Sequence, residues 1–308
     1  MFNRNIDSAS LGAWVLAAML APMAQFLGSV SWYYVLAIGV GAGLLWMCAA
    51  AGKRPCGNTE TVLQLLGLTL AAGLSAQWAG RCWSQANNGW VIPVTLVLLA
   101  ACSAERGGQV GARCGATLFW FLAAMVIGLL AFAVPDVKPR FLLPAASGNP
   151  IPAAAVLLIP GAAMLLPREK GKGWGWAAAI LALAVAISAV TQGVLSPAAA
   201  AGQQGAFFEM IRGISILGVA ERFEAVVAGA MTLSWFCQLS LFFSAAGELG
   251  EGLRPNAGRK CVWICAGAAA AVFGFVSIPP YAAALGAGAL WYLLPVVRIF
   301  PEKIKKGG

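Results

Sequence analysis

The chain has 308 residues, of which 60% are hydrophobic and only 10% are charged; its mean hydropathy is +0.81 and its formal charge is +9. Soluble domains carry about 25% charged residues, so this composition excludes a water-soluble globule and indicates a polytopic membrane protein. Histidine is absent, which removes the commonest metal ligand and the usual general base.

The apolar segments predict ten membrane spans, since about 20 apolar residues cross a bilayer. In chain order they are residues 10–28, 32–51, 61–80, 90–103, 114–134, 151–166, 174–195, 223–247, 260–277 and 281–299. The fourth and sixth are short, and very short loops divide the first two and the last two. Eight or nine spans are therefore the competing counts. The first span follows Arg4 without a convincing small-residue cleavage site, so we interpret it as a membrane helix and not as a secretory signal.

Charge distribution supports ten spans with both termini in the cytoplasm. With that topology, 15 of the 20 Lys and Arg residues fall in inside segments and 5 in outside segments. This excess is what the positive-inside rule predicts. Trp32, Trp90, Trp174 and Trp291 fall near span ends, where aromatic residues meet the membrane interface.

Ten spans divide into two halves of five, about residues 10–134 and 150–299, within a single transmembrane domain of residues 1–308. An odd number of spans in each half makes the second half inverted relative to the first. That arrangement is typical of secondary transporters, which bind solutes at interrupted helices near the bilayer midplane.

The first span of each half contains a proline that predicts such an interruption. Span 1 carries Ala21-Pro22-Met23, and span 6 carries Pro160-Gly161-Ala162. Proline removes a backbone donor and clashes with the carbonyl four residues earlier, and freed backbone groups survive in the membrane only where they line a cavity or meet a ligand. The alternative is that both prolines merely kink packed helices.

Polar side chains within the spans are mostly Ser, Thr and Gln. Gln77 in span 3 and Gln238 in span 8 lie where a neutral contact to a solute is plausible, and Ser234 shares a helical face with Gln238. The alternative for the hydroxyls is bonding to their own helix. No charged residue falls clearly in mid-span, which argues against a proton-driven pump. Sodium coupling through carbonyls and hydroxyls stays open.

The longest outside loop, residues 196–222, predicts a short amphipathic helix over the outer mouth, followed by Glu221, Arg222 and Glu224 at the start of span 8. Carboxylates in a first helical turn are favoured by the helix dipole, so a structural role is one reading. A gating ion pair or a partner contact is the other.

Other function classes have little support. The eight cysteines include no C-x-x-C pair, so we expect no metal site and no cofactor. No basic face with interleaved aromatic residues accompanies the charge, so we expect no nucleic acid. Paired carboxylates and nucleophile motifs are missing as well, so we expect no enzyme.

Two short motifs resemble the B subunits of spore germination receptors, which belong to the amino acid–polyamine–organocation transporter superfamily. The first is Phe141-Leu142-Leu143-Pro144 with Gly148-Asn149-Pro150-Ile151, before span 6. The second is Ile214-Ser215-Ile216 with Glu221-Arg222-Phe223-Glu224-Ala225, leading into span 8. The start Asn5-Ile6-Asp7-Ser8 is compatible with that family.

The resemblance implies a LeuT-like 5+5 fold with helices 1 and 6 discontinuous. It implies a subunit that binds a small germinant, commonly an amino acid, beside an A subunit and a lipoprotein C subunit in the spore inner membrane. The solute would lie beside the following residues: Ala21, Pro22, Met23, Gln77, Pro160, Gly161, Ala162, Ser234 and Gln238. Glu221, Arg222 and Glu224 would be gate or structural residues. An amino-acid permease of the same superfamily is the alternative function.

Overall fold

The computed structural model describes residues 5–51, 58–81, 90–142, 152–167, 174–201, 205–213 and 223–275. Every regular element within these ranges is a helix. The α-helices are α1 Ser8–Phe26, α2 Trp32–Ala51, α3 Asn58–Arg81, α4 Val91–Glu105, α5 Gly108–Ala133, α6 Leu158–Ala163, α7 Trp174–Leu195, α8 Pro197–Ala201, α9 Ala206–Gly213, α10 Phe223–Leu253 and α11 Gly258–Phe275. Three 3₁₀ helices cover Val134–Asp136, Pro139–Leu142 and Pro152–Leu157.

The helices follow the predicted spans closely. α2 and α7 have the predicted limits, and α1, α3, α4, α5, α10 and α11 differ from spans 1, 3, 4, 5, 8 and 9 only at their ends. Span 10, residues 281–299, lies outside the described residues. Five helical stretches of the described chain are long and apolar enough to cross a membrane: Ser8–Phe26, Asn58–Arg81, Gly108–Asp136, Trp174–Leu195 and Ala225–Leu253.

Two helices form the centre of the bundle. α10 packs against α1, α3, α4, α5 and α11, and α1 packs against α5, α7, α9 and α10. Nearly all of α1 from Leu11 to Ala24 is buried. α5 instead exposes large apolar side chains such as Trp120 and Ile127 on its outer face, where acyl chains would cover them.

Trp14 anchors α1 between α5 and α10. Its indole N–H donates to the Cys237 carbonyl of α10 at 3.1 Å. Gly111 and Gly115 of α5 lie against the ring: a Cβ at Gly111 would lie 2.7 Å from the Trp14 Cη2 atom. Because these two glycines have no side chain, α1 and α5 approach each other closely, as helices with small residues at their interface do in membranes.

One end of the bundle, here called the inner end, gathers segments predicted to lie on the cytoplasmic side. The Ile6 N–H donates to the Pro167 carbonyl at 3.0 Å, and Gln109 Nε2 donates to the Asn5 carbonyl at 3.0 Å. Gly108 lies beside Ile6 as well. The start of α1, the start of α5 and the segment after α6 thus meet at one place.

The opposite, outer end gathers segments predicted to lie outside. Ser188 Oγ and Gln192 Nε2 of α7 both donate to the Val30 carbonyl in the turn between α1 and α2. The Lys138 N–H donates to the Gly193 carbonyl at 2.9 Å. The α1–α2 turn and the chain after α5 are therefore both fastened to the end of α7.

The predicted discontinuity of helix 1 is wrong, because residues 8–26 form one helix that contains Pro22. The reason is a side chain from α10. The Ser234 hydroxyl accepts a hydrogen bond from the Ala21 N–H at 2.8 Å and donates one to the Ala17 carbonyl at 2.6 Å. Pro22 itself leaves the Ala18 carbonyl without its backbone donor. The serine bridges the neighbouring carbonyl and N–H of the same turn, and the helix passes the proline without unwinding.

The segment of predicted span 6 does change its geometry, but before Pro160 and not at it. It runs as a 3₁₀ helix over Pro152–Leu157 and as an α-helix over Leu158–Ala163. Pro160 is the third residue of that α-helix, where a backbone N–H has no partner within the helix in any case. The proline therefore costs no hydrogen bond and interrupts nothing.

Candidate functional site

The turn of α1 before Pro22 and the polar face of α10 define the candidate site. Ser234 is fully buried. Its hydroxyl bonds to the backbone of Ala17 and of Ala21, and Ala21 is the residue before Pro22. Of the residues proposed from the sequence, Ala21 and Ser234 are therefore in direct contact. Both residues were predicted to contact a ligand, but in the structure they are hydrogen-bonded to each other.

One turn farther along α10, Gln238 connects the site to α3. Its Nε2 atom donates to Ser75 Oγ at 2.9 Å, and the Ser75 hydroxyl in turn donates to the Ala71 carbonyl of its own helix at 2.7 Å. Both side chains are about 1% exposed. This chain of bonds fixes the register of α3 against α10 and holds the carboxamide in one orientation.

Two polar atoms of this face have no hydrogen-bond partner among the described residues. They are the Oε1 atom of Gln238, an acceptor, and the Nε1 atom of Trp235, a donor. Both residues are about 1% exposed. An unpaired buried polar group costs about 1–3 kcal/mol, so these two atoms are candidates for a bond to a ligand or a water.

Aromatic rings line the same place. The Trp78 ring lies 4.7 Å from Phe26 in an edge-to-face arrangement and 6.1 Å from Trp235, measured between ring centroids. These rings come from α1, α3 and α10. The site thus combines an apolar aromatic wall with a separate donor and acceptor, which is the usual make-up of a small-molecule pocket.

A short helix covers the outer end of α1. α9 buries Phe207, Met210 and Ile211, while Glu209 and Arg212 form a 2.7 Å ion pair at the surface. A Cβ at Gly28 would lie 3.2 Å from the Phe207 backbone nitrogen, so α9 lies directly on the chain that leaves α1. The predicted amphipathic helix is confirmed for residues 206–213; residues 214–222 lie outside the described chain.

The remaining proposed residues are distributed as follows. Pro22 and Met23 are buried within α1, and Pro160, Gly161 and Ala162 are buried within α6, which packs against α1, α2 and α10.

Gln77 is half-buried on α3, the helix from which Ser75 bonds to Gln238. Glu221 and Arg222 lie outside the described residues, and Glu224 belongs to the first turn of α10.

Sequence reasoning missed Ser75, Trp78 and Trp235 as site residues. A signal was present, because Ser75 and Trp78 are three residues apart on α3, and Trp235 and Gln238 are three residues apart on α10. Helical neighbours at that spacing share a face. Within the described ranges, no group of three His, Cys, Asp or Glu side chains converges as a metal site would.

Comparison with known proteins shows the fold. No family model matches the sequence, and no curated protein matches it. Among solved structures, the chain is similar to the crystal structure of MhsT in complex with L-phenylalanine, with a TM-score of 0.57 and 12% sequence identity. The match covers 95% of this chain and 88% of MhsT. The chain is thus an all-helical membrane protein with a transporter fold of the LeuT type.

Proposed function

We propose that the protein binds an amino acid at the junction of α1, α3 and α10. The observation that carries the proposal is the pair of unpartnered buried atoms on α10, the Trp235 Nε1 donor and the Gln238 Oε1 acceptor. An amino-acid zwitterion supplies the complementary groups. Its carboxylate would accept from the indole N–H, and its ammonium group would donate to the carboxamide oxygen.

The surroundings favour a ligand with an apolar side chain. Phe26, Trp78 and Trp235 provide rings against which such a side chain packs. In this dry environment each bond to a charged ligand group is stronger than it would be in water. MhsT, which has the same fold, holds L-phenylalanine in its crystal structure.

For the biological role, we propose a membrane subunit of a spore germinant receptor that binds a germinant and triggers germination. The support is the resemblance of the segments around residues 141–151 and 214–225 to receptor B subunits. In this role the chain works with A and C subunits in the spore inner membrane, with both termini in the cytoplasm. An amino-acid permease is the second candidate, and the MhsT fold favours it.

Replacement of Gln238 by Leu should weaken amino-acid binding about ten- to hundredfold. A hydrogen bond to a charged group contributes about 1.5–3 kcal/mol, and each 1.4 kcal/mol is a factor of ten in Kd. The measurement is equilibrium binding of radiolabelled L-phenylalanine and L-leucine to the purified full-length protein, with and without sodium.

Gln64→Leu is the matched control for that experiment. Gln64 is also a buried glutamine of the bundle, on α3 about three turns before Ser75 and therefore about 16 Å from the site. We expect the Gln64→Leu variant to bind the amino acid with the affinity of the wild type. Equal losses in both variants, or no loss in Gln238→Leu, would contradict a site at Trp235 and Gln238 of α10.

The two biological roles predict opposite results in transport. A receptor subunit reconstituted alone in proteoliposomes should bind the amino acid without accumulating it, and spores that depend on the chain should lose their germinant response when Gln238 is replaced by Leu. A permease should exchange external labelled amino acid for unlabelled amino acid inside the vesicle. Exchange well above that of protein-free liposomes would exclude a purely sensory role.

A further inference from the structure

The inner ends of α4 and α11 are tied together by one carboxylate. Glu105, the last residue of α4, forms an ion pair with Arg259 and accepts a hydrogen bond from the Trp263 indole N–H at 2.8 Å. Arg106 follows Glu105 in the chain and is exposed. This contact therefore brings Arg106 to the first turns of α11.

Two further basic residues flank the same contact. α10 ends at Leu253 and α11 begins at Gly258, so Arg254 and Lys260 belong to one tight helix–turn–helix corner. The Arg254 N–H donates to the Gly250 carbonyl at 3.2 Å, which fixes the start of that corner. Both side chains are exposed.

The acidic groups at this end are already occupied or buried. Glu105 pairs with Arg259, Glu251 accepts hydrogen bonds from the N–H groups of residues 256 and 258, and Asp7 accepts two bonds from Ser10. Glu60 and Glu248 are each 8% exposed. Asp7 is exposed, but none of these carboxylates forms an ion pair with Arg106, Arg254 or Lys260.

The cations, by contrast, remain unneutralised. Arg106, Arg113, Arg254 and Lys260 are exposed and form no ion pair with any described residue. Clustered basic side chains at a membrane surface attract anionic groups, with a contribution of about fivefold in affinity from each.

Apolar side chains continue from these cations along the side of the bundle. Trp263 is 38% exposed and Ile264 is 69% exposed on α11, and Leu98 and Leu99 of α4 are at least half exposed. A charged end joined to an exposed apolar flank matches a molecule with a phosphate head and hydrocarbon tails. A nucleic acid or a free anion would use only the charged end.

We propose that the surface formed by Arg106, Arg254, Lys260 and Trp263 binds an anionic phospholipid. The phosphate group lies among the three cations, and the acyl chains lie along the exposed faces of α4 and α11. The lipid thereby covers the place where these two helices are joined by Glu105 and Arg259. This binding is independent of the amino-acid site, because Arg254 follows Gln238 by 16 residues, about 24 Å along a helix.

The test compares lipid retention in nanodiscs that contain equal amounts of phosphatidylglycerol and phosphatidylcholine. Native mass spectrometry of the released full-length protein should show retained phosphatidylglycerol in clear excess. The double variant Arg254→Gln and Lys260→Gln should lower that preference at least fivefold. A charge-preserving variant, Arg254→Lys with Lys260→Arg, should retain the wild-type preference.

The matched control removes two cations from the outer end. Lys138 and Arg140 both lie over the Phe141 ring, at 5.7 and 4.9 Å from its centroid, and Lys138→Gln with Arg140→Gln should leave the lipid preference unchanged.

Equal retention of the two lipids by the wild type, or equal losses in both double variants, would overturn the proposal. Thermal protection by inorganic phosphate as large as that by phosphatidylglycerol would do the same. None of these outcomes depends on whether the protein binds an amino acid.

Discussion

Replacement of Gly115 by Leu should prevent the accumulation of folded protein, whereas Gly128→Leu on the same helix should accumulate normally. A Cβ at Gly115 would lie 2.5 Å from Cγ and 2.9 Å from Cβ of Trp14, and Trp14 is fully buried. A Cβ at Gly128 meets nothing within 4 Å. The two variants therefore add the same side chain to α5, at Gly115 against the Trp14 ring and at Gly128 into open space.

The effect at Gly115 is large because neither helix can retreat. Trp14 is held from the other side by its bond to the Cys237 carbonyl, and α1 lies in the centre of the bundle. Overpacking of a filled core costs about 1–3 kcal/mol, occasionally more, even for single methylenes, and leucine adds a whole side chain. We expect a loss of about 3 kcal/mol or more in the free energy of unfolding.

Detergent-solubilised protein, analysed by size-exclusion chromatography and thermal unfolding, provides the measurement. Trp14→Ala should partly rescue Gly115→Leu, because it removes the ring that the new side chain would strike, and a double-mutant cycle would give the coupling. A monodisperse Gly115→Leu protein with the wild-type midpoint would show that α1 and α5 do not pack as described.

The limits of most helices could be predicted because membrane thickness sets the length of an apolar run. α2 and α7 begin and end at the predicted residues. α10 continues to Leu253, beyond the predicted end at residue 247. Hydropathy places Glu248 in a loop because its side chain is charged, but in the structure neighbouring helices bury this side chain.

The detailed site could not be predicted, because its contacts join residues far apart in the sequence. Pro22 correctly marked a weakness in α1, but the hydroxyl that bonds to the turn before it is 213 positions from Ala21. Similarly, the partner of Gln238 is Ser75, 163 positions away. Hydropathy identifies each of these polar residues and says nothing about which pairs meet.

The second large expected effect concerns Ser234, the side chain that joins α10 to the turn of α1 before Pro22. Ser234→Ala should lower amino-acid affinity at least tenfold, because the two hydrogen bonds that hold α1 beside Trp235 and Gln238 are lost. Loss of the two hydrogen bonds across to α10 should also lower the free energy of unfolding by about 1–3 kcal/mol. Ser234→Thr keeps the hydroxyl and should retain most of the binding.

Ser240→Ala is the matched control. Ser240 is also a buried serine of α10, but its hydroxyl donates to the Cys237 carbonyl of its own helix at 2.9 Å. The same carbonyl also accepts the Trp14 indole N–H and keeps that bond in the variant. Loss of the Ser240 bond should therefore change stability by less than about 1 kcal/mol and leave binding unchanged. Equal effects in the two alanine variants would show that the contact with α1 has no special role.

Pro22→Ala distinguishes a functional proline from a merely structural one. Alanine restores the backbone N–H, which can donate to the Ala18 carbonyl, and removes the ring, so the protein should become more stable, by up to about 3 kcal/mol. If the proline shapes α1 for a ligand, the same variant should bind amino acid more weakly despite its higher stability. A variant that gains stability and keeps full affinity would make Pro22 a kink accommodated by Ser234, and would remove the backbone of α1 from the binding site.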